Sequence, residues 1–477
     1  MTPRSKMRAN VLGAALAGLA LRAYFVLKFP FQESGDAPFY IELAWNWLKH
    51  GIYGFAVDGK LTPVDMRVPG YPAFLAAIFT FAGRSPRAVM FVQIAVDLAS
   101  CFLIALMAAR LAPESSRRRA AIAGLWLAAL CPFTANYTAV VLTETLITFL
   151  TALAILVLLA TDLGGHPPLP GARHWAQRGL SPWFLAGLLV GFGTLVRPET
   201  PLLLFAAGLV LMAKWRRPAD WRKLLRVGVL MSAGLLLPLV PWAARNWHSL
   251  HELQFLAPRY GQLPGEHPPV GFDAWNHTWM WRFRDAYLVP WKLGDEPISL
   301  RDIPASAFDS PQERARVARL LEEYNDDFIL SRQQDRAFGE IAAQRTARHP
   351  LRTYLKIPLL RSLALWFTPR VELLPFSGHL FPIAEQWRND HVDFSASLAL
   401  VVVNAVFIAL ALAGAWLARR RPSLAFLIAF IVVRTAFISA FAEAVEPRYV
   451  LECFPAVIAL AAQAFAGRRQ LSSTGSG

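Results

Sequence analysis

The sequence predicts a polytopic α-helical membrane protein, and three observations carry that prediction. Hydrophobic residues make up 55% of the 477-residue chain and charged residues only 17%, against about 25% charged in ordinary soluble domains. The mean hydropathy is +0.37. Apolar runs of roughly 15 to 22 residues recur along the chain, and about 20 residues of helix cross the hydrocarbon of a bilayer.

Ten such spans are expected, near 9–28, 88–109, 120–136, 140–161, 182–197, 200–214, 226–242, 398–417, 423–441 and 449–466. The segments 182–197 and 200–214 are short and interrupted by Pro198 and Pro201. Basic clusters sit beside the spans: Arg4, Lys6 and Arg8; Arg117 to Arg119; Lys214 to Arg226; Arg419 to Arg421; Arg468 and Arg469. With the N-terminus inside, each cluster falls on the cytoplasmic side, as short basic loops do. The apolar stretch Tyr71 to Gly83 is too short for a span, and counting it as one would move Arg117 to Arg119 outside. It is expected to lie in or dip into the outer face. The run from Val11 to Leu27 follows a basic start like a signal peptide, but it is longer than a signal core and is read as an uncleaved first span.

The net charge of +15 is distributed among those loops and forms no basic face interleaved with stacking aromatics, which argues against a nucleic-acid partner. Cys101, Cys131 and Cys453 all fall in apolar segments, with no metal or disulfide spacing, and read as buried thiols. The stretch 162–181 reads as a cytoplasmic loop and 468–477 as a flexible tail.

The chain thus divides into an N-terminal transmembrane module 1–242 with a first outer loop 29–87, an outer segment 243–397, and C-terminal spans 398–467. A short outer turn lies around Asn136 to Glu144. In the outer segment, Ser310-Pro311-Gln312-Glu313 is a capping-box helix start and Ser331-Arg332-Gln333-Gln334 repeats the form. Leu351 to Phe367 is amphipathic, with Arg352, Lys356 and Arg361 among leucines, and is expected to rest on the membrane surface.

Chemistry is concentrated in the outward positions. Asp36, Tyr40 and Ala44 are spaced to share one face of a helix beginning near Pro38. Asp36 could simply cap that helix, or serve as a general base, and a carboxylate at a helix N-terminus stays ionised for either task. Glu144 lies at the outer end of a span, where an ionisable group usually faces protein or a cavity. Glu199 stands beside Arg197 in Arg197-Pro198-Glu199, a pairing that is also a plain structural turn, and Asp97 lies inside the second span. Arg67, Arg245 and Arg448 sit at outward membrane boundaries, which the positive-inside tendency disfavours. Three guanidiniums at one level fit an anionic lipid phosphate; Arg434 belongs to the same question. There is no phosphate-binding glycine loop, no H-E-x-x-H and no nucleophile elbow. The histidines His267, His277, His379 and His391 are scattered; no cofactor is expected, and a divalent metal on Asp36, Glu144 and a histidine, though conceivable, has no support in the spacing.

Taken in order, the motifs resemble a known family: Asp36 with Tyr40 and Ala44, Arg67-Val68-Pro69-Gly70-Tyr71-Pro72, the acid Glu144, Arg197-Pro198-Glu199, Pro241-Trp242-Ala243-Ala244-Arg245-Asn246, and Glu446-Pro447-Arg448-Tyr449 with Pro455. The chain resembles the bacterial GT-C glycosyltransferases, the superfamily of protein O-mannosyltransferases and lipid A aminoarabinose transferases. That resemblance implies a GT-C-like helical fold with interfacial helices in the first outer loop and a mostly helical periplasmic domain. It implies a multi-pass protein of the bacterial inner membrane that moves one sugar from a polyprenyl-phosphate donor to a lipid, glycan or protein acceptor on the periplasmic face, usually with inversion. By position, Asp36 matches the catalytic aspartate and Glu144 the second catalytic acid, which in relatives helps bind donor or acceptor. Arg67, Arg245 and Arg448 match donor-phosphate positions, and Tyr40, Tyr71, Arg197, Glu199 and Tyr449 fall on the substrate side. The chain departs from the lipid A enzymes in having Arg67-Val68-Pro69-Gly70 where they tend to Lys-Pro-Pro-Leu, and Glu where they have Asp as second acid. Activity class therefore transfers better than substrate. Two other classes share some of these features: an O-antigen ligase or polymerase, and a lipid or polysaccharide transporter, which more often shows repeated halves.

Overall fold

The computed structural model describes residues 3–29, 35–161, 163, 181–261 and 267–466. Residues 30–34, most of the expected cytoplasmic loop 162–181 and the expected tail 468–477 lie outside the described residues. The chain forms two compact units. The first comprises Met1–Pro258, Pro369–Val433 and Leu451–Gly477, the second Arg259–Thr368 and Arg434–Val450.

The first unit opens with α1 (Pro3–Lys28) and α2 (Ala37–His50). A two-stranded hairpin follows, β1 (Gly54–Val57) and β2 (Lys60–Pro63), with Val57 opposite Lys60. Its turn is Asp58-Gly59, both at positive φ (50° and 75°), the backbone that a tight hairpin of right-twisted strands requires. Then come α3 (Gly70–Ala82), α4 (Pro86–Leu111), α5 (Arg117–Ala129), α6 (Pro132–Ala135), α7 (Glu144–Leu158), α8 (Pro182–Thr194), α9 (Leu202–Lys214) and α10 (Trp221–Leu250). Ser85 caps α4 by accepting from the Ala88 amide at 3.3 Å, with Pro86 in its first turn.

Six described helices are long and apolar enough to cross a membrane, or seven if a bent pair counts as one span. The bent pair corrects one expectation. The segment 120–136 is not a single straight span: Glu114–Ala129 and Pro132–Ala139 meet at 51°, because Pro132 has no N–H to continue the ladder. Arg22 of α1, fully buried, donates to the carbonyls of Ala128 (3.4 Å) and Ala129 (2.9 Å) at the break, and to Asp97 Oδ2 of α4 at 2.7 Å. Asp97 is thereby part of the frame. The expected spans 140–161, 182–197 and 200–214 are helices of 15, 13 and 13 residues, shorter than a bilayer crossing. The span expected to end at 242 instead runs through Pro238 and Pro241 to Leu250. The stretch from Tyr71 forms the 13-residue α3, which buries Tyr71, Leu75 and Phe79 against α2.

The second unit is helical, with α11 (Val270–His277), α12 (Phe283–Leu288), α13 (Pro311–Asn325), α14 (Arg332–Arg348) and α15 (Ile357–Trp366). Its core gathers Phe272, Trp275, Trp279, Tyr324 and Phe338. Gly271 lets α11 touch α14, since a Cβ there would stand 1.8 Å from the Asp335 carbonyl oxygen. Ser310 caps α13 by accepting from the Glu313 amide, while Glu313 reaches back to the Asp309 amide at 3.3 Å. At Ser331 both halves of the capping box form. The buried Arg345 ties α13 to α14 through Glu313 and Asp309.

A π-helical turn, Arg352–Lys356, leads into α15. The remaining elements are α16 (Ile383–Asn389), α17 (His391–Leu417), α18 (Pro422–Phe441) and α19 (Phe454–Ala461). The amphipathic segment docks on the last turns of α18: Trp366 Nε1 donates to Thr435 Oγ1 at 3.0 Å and Arg361 to the Ser439 and Ala442 carbonyls. Leu351, Leu355, Leu359, Leu363 and Phe367, one i+4 line, remain exposed.

Candidate active site

Asp36 occupies the N-cap position of α2, yet its side chain makes no capping hydrogen bond. Its Oδ1 instead accepts from Arg67 NH2 at 2.8 Å, with the two side chains 26% and 31% exposed. The first outer loop therefore presents an ion pair that water, or a ligand, can reach. Burial pulls the Arg67 guanidinium down, and the Asp36 carboxylate beside it more than restores it, leaving it above its ordinary value. Burial and the Asp36 charge push the Tyr40 phenol well up, so Tyr40 stays protonated and can donate.

The loop that carries Arg67 is held from three sides. Tyr53 Oη donates to the carbonyls of Arg67 (2.9 Å) and Val68 (3.3 Å). Arg245 donates in turn to the carbonyls of Tyr53 (2.6 Å) and Val64 (2.8 Å) and lies against the rings of Tyr53 and Trp242. The Gly70 amide donates to the Leu195 carbonyl at 2.6 Å, where a Cβ would stand 2.5 Å from that oxygen. Tyr71, fully buried, stacks edge-on to Tyr40 and donates to Gln93 Oε1 at 2.8 Å. Gln93 then holds the Val140 carbonyl at 2.7 Å, just before α7. In this structure Arg245 and Tyr71 brace the loop.

Glu144 opens α7 and is 1% exposed. Arg197 donates to it at 3.3 Å and to Glu199 at 3.1 Å, so the pairing of Arg197 with Glu199 extends to the second acid. Glu452, also 1% exposed, closes a third side 3.7 Å from Arg197 Nε. The charges of Asp36, Arg67, Glu144 and Arg197 all act on Tyr40, so both polar groups lie within electrostatic reach of its phenol. Glu452, Gln93 and Tyr53 were not singled out from sequence. For Glu452 the signal was there, a carboxylate within the apolar run 449–466.

Arg448 and Tyr449 belong to the second unit. Both engage Glu446, Tyr449 Oη at 2.6 Å and Arg448 NH2 at 3.2 Å, and Arg434 Nε donates to the Tyr449 carbonyl at 2.9 Å. Among the described residues no group of three or more His, Cys, Asp or Glu is arranged to hold a metal.

Next to the Arg67 loop lies a cavity of about 580 Å³ in the first unit. Its wall includes Pro69 and Gly70, Phe74 of α3, Leu150 of α7, Phe192 of α8 and Trp242 of α10. Apart from Arg245 and Ser249 the lining side chains are apolar or aromatic.

No family model and no curated protein matches this chain. In structure it is similar to the archaeal oligosaccharyltransferase AglB from Archaeoglobus fulgidus in complex with an inhibitory peptide and a dolichol-phosphate, at 15% identity and a TM-score of 0.48, over 96% of this chain and 50% of that one. It is also similar to ArnT from Cupriavidus metallidurans bound to undecaprenyl phosphate, at 15% identity and a TM-score of 0.41, over 98% of this chain and 78% of that one. The chain spans about half the length of the oligosaccharyltransferase.

Proposed function

We propose that this protein is a membrane-embedded glycosyltransferase that moves a single sugar from a polyprenyl phosphate to a hydroxyl acceptor on the outer, periplasmic face of a bacterial inner membrane. The observation that carries the reading is the partly exposed Asp36–Arg67 pair, on a loop whose Pro69 and Gly70 line an apolar cavity. An aliphatic tail suits that cavity, and its phosphate would meet the Arg67 guanidinium. The order of motifs that resembles the GT-C superfamily supports the same reading.

In this mechanism Arg67 has two successive partners. Without donor it neutralises Asp36. A donor phosphate competes for the same guanidinium, and a carboxylate relieved of its cation is a stronger base. Asp36 then takes the proton of the acceptor hydroxyl as its oxygen attacks the anomeric carbon. The bond from that carbon to the phosphate oxygen breaks, and the polyprenyl phosphate leaves with the electron pair, its charge met by Arg67. One base suffices for inversion. Glu144, buried on Arg197 and within electrostatic reach of Tyr40, supports the site. Lipid, glycan and protein acceptors all fit this chemistry.

Binding of undecaprenyl phosphate to purified protein tests the donor half. Arg67→Gln is expected to weaken it about 10- to 100-fold, the worth of a charged hydrogen-bond pair. Asp36→Asn is expected to keep or tighten it, because the competing carboxylate is gone. Equal binding by wild type and Arg67→Gln would remove Arg67 from the phosphate site.

A further inference from the structure

Tyr53 belongs both to the wall of the apolar cavity and to the support of the Arg67 loop. It is 3% exposed and lines the cavity together with Trp47, Trp242, Pro69 and Gly70. Its ring is set by three neighbours. Trp47 of α2 and Trp242 of α10 meet it edge-on, with ring centroids 5.3 Å and 5.1 Å away, and the Arg245 guanidinium lies 5.3 Å from its centre. Its carbonyl accepts from the Val64 amide at 3.1 Å as well as from Arg245 at 2.6 Å. With ring and backbone so fixed, the hydroxyl is the part that reaches the loop, where it donates to the Arg67 and Val68 carbonyls. Burial pushes the phenol well up, so it keeps the proton that it donates.

The carbonyl one residue earlier has a different partner. Met66 turns its oxygen to the Arg67 side chain, which donates through NH1 at 2.9 Å while NH2 holds Asp36. Three successive planar peptides are committed in this way, the first to the guanidinium and the other two to the phenol. A phosphate that displaces Asp36 leaves the Met66 carbonyl still orienting the guanidinium, and that carbonyl is one peptide from the pair that Tyr53 holds. Ring packing does not need the hydroxyl: a phenylalanine would keep the contacts with Trp47, Trp242 and the cavity. We propose that Tyr53 is a positioning residue for the donor phosphate. Its ring gives wall to the lipid tail, and its hydroxyl fixes the backbone from which Arg67 reaches the phosphate of that same lipid. This rests on the transferase reading of the site, in which the cavity takes the tail and Arg67 the phosphate.

Tyr53→Phe in the full-length protein tests it, with two lipids and with none. Undecaprenyl phosphate binding is expected to fall about 5- to 10-fold, the worth of one hydrogen bond. Binding of undecaprenol, the same tail without the phosphate, is expected to stay at the wild-type value. In an Arg67→Gln background the same change should cost undecaprenyl phosphate binding nothing further, because the hydroxyl acts through Arg67. With no lipid present, hydrogen exchange at the Arg67, Val68 and Gly70 amides should quicken relative to wild type. Wild-type affinity for undecaprenyl phosphate in Tyr53→Phe would overturn the proposal, and so would additive losses in the cycle or unchanged exchange. Equal loss of both lipids together with a collapse in melting temperature would overturn it too, since that marks a merely structural role. Wild-type protein that binds neither lipid removes the transferase reading instead. The exchange measurement, which needs no lipid, keeps that outcome separate from failure of the tie between Tyr53 and the loop.

Discussion

Asp36 could have been used up on the helix that it starts, and the structure commits it to Arg67 instead. Spacing along the chain left those two uses open, because both need a carboxylate at the same position. The loop residue that decides between them lies 31 positions away. The same limit explains Glu452. Its partner Arg197 is remote in sequence, and helical-spacing arguments reach only one or two turns. Arg197 itself offers a sharp test. Arg197→Met would remove the cation that faces buried Glu144 and Glu452, and breaking a buried ion pair from one side costs about 3–5 kcal/mol. Chemical denaturation should show that loss, whereas Arg197→Lys, which keeps the charge, should lose less.

At the scale of elements, the motifs proved to be joints between helices. Pro69-Gly70 meets the end of α8, so Gly70→Ala should push the Arg67 loop off Leu195 and cost about 1–3 kcal/mol as overpacking does. A fall in melting temperature together with weakened undecaprenyl phosphate binding is the expected result; unchanged binding would uncouple the joint from the site. The break between α5 and α6 was not read from sequence, although Pro132 marks it, because the apolar run continues across it. The hairpin at Asp58-Gly59 was also missed, in a loop read only as polar.

The second unit adds a pH dependence. Burial, then the neighbouring Glu443 charge, pushes Asp273 up to about 7, with Asp335 adding to the rise and Arg259 and Tyr260 opposing it. A carboxyl whose folded value is raised contributes stability that is present below its ordinary value near 3.8 and is lost as pH climbs through about 7. His277 runs the other way: burial lowers it to about 4, so its contribution is present above 6.5 and lost as pH falls through 4. Asp273→Asn should flatten the loss between pH 4 and 7 and raise stability at pH 8, by at most about 4 kcal/mol for a shift of three units. Melting temperatures across that range check the sign.

At the scale of the whole molecule, the membrane class, the order of the helices and the polar first loop were legible, because apolar length and flanking charge are local signals. The number of crossings was not. Four apolar segments, α3, α7, α8 and α9, fold as helices of 13 to 15 residues, and length alone does not say how such a helix meets a bilayer. Orientation is testable because the three native cysteines are buried. In intact cells or sealed right-side-out vesicles an impermeant maleimide should label Lys60→Cys in the hairpin, and Arg118→Cys only after permeabilisation. The reverse pattern would place the Asp36 loop inside.

The most direct test of the central claim is turnover of polyprenyl-phosphate sugars by purified wild type and Asp36→Asn. The account predicts release of polyprenyl phosphate by wild type and a loss of about 10²- to 10⁴-fold in the variant, with undecaprenyl phosphate binding retained. Undiminished turnover by Asp36→Asn would contradict it.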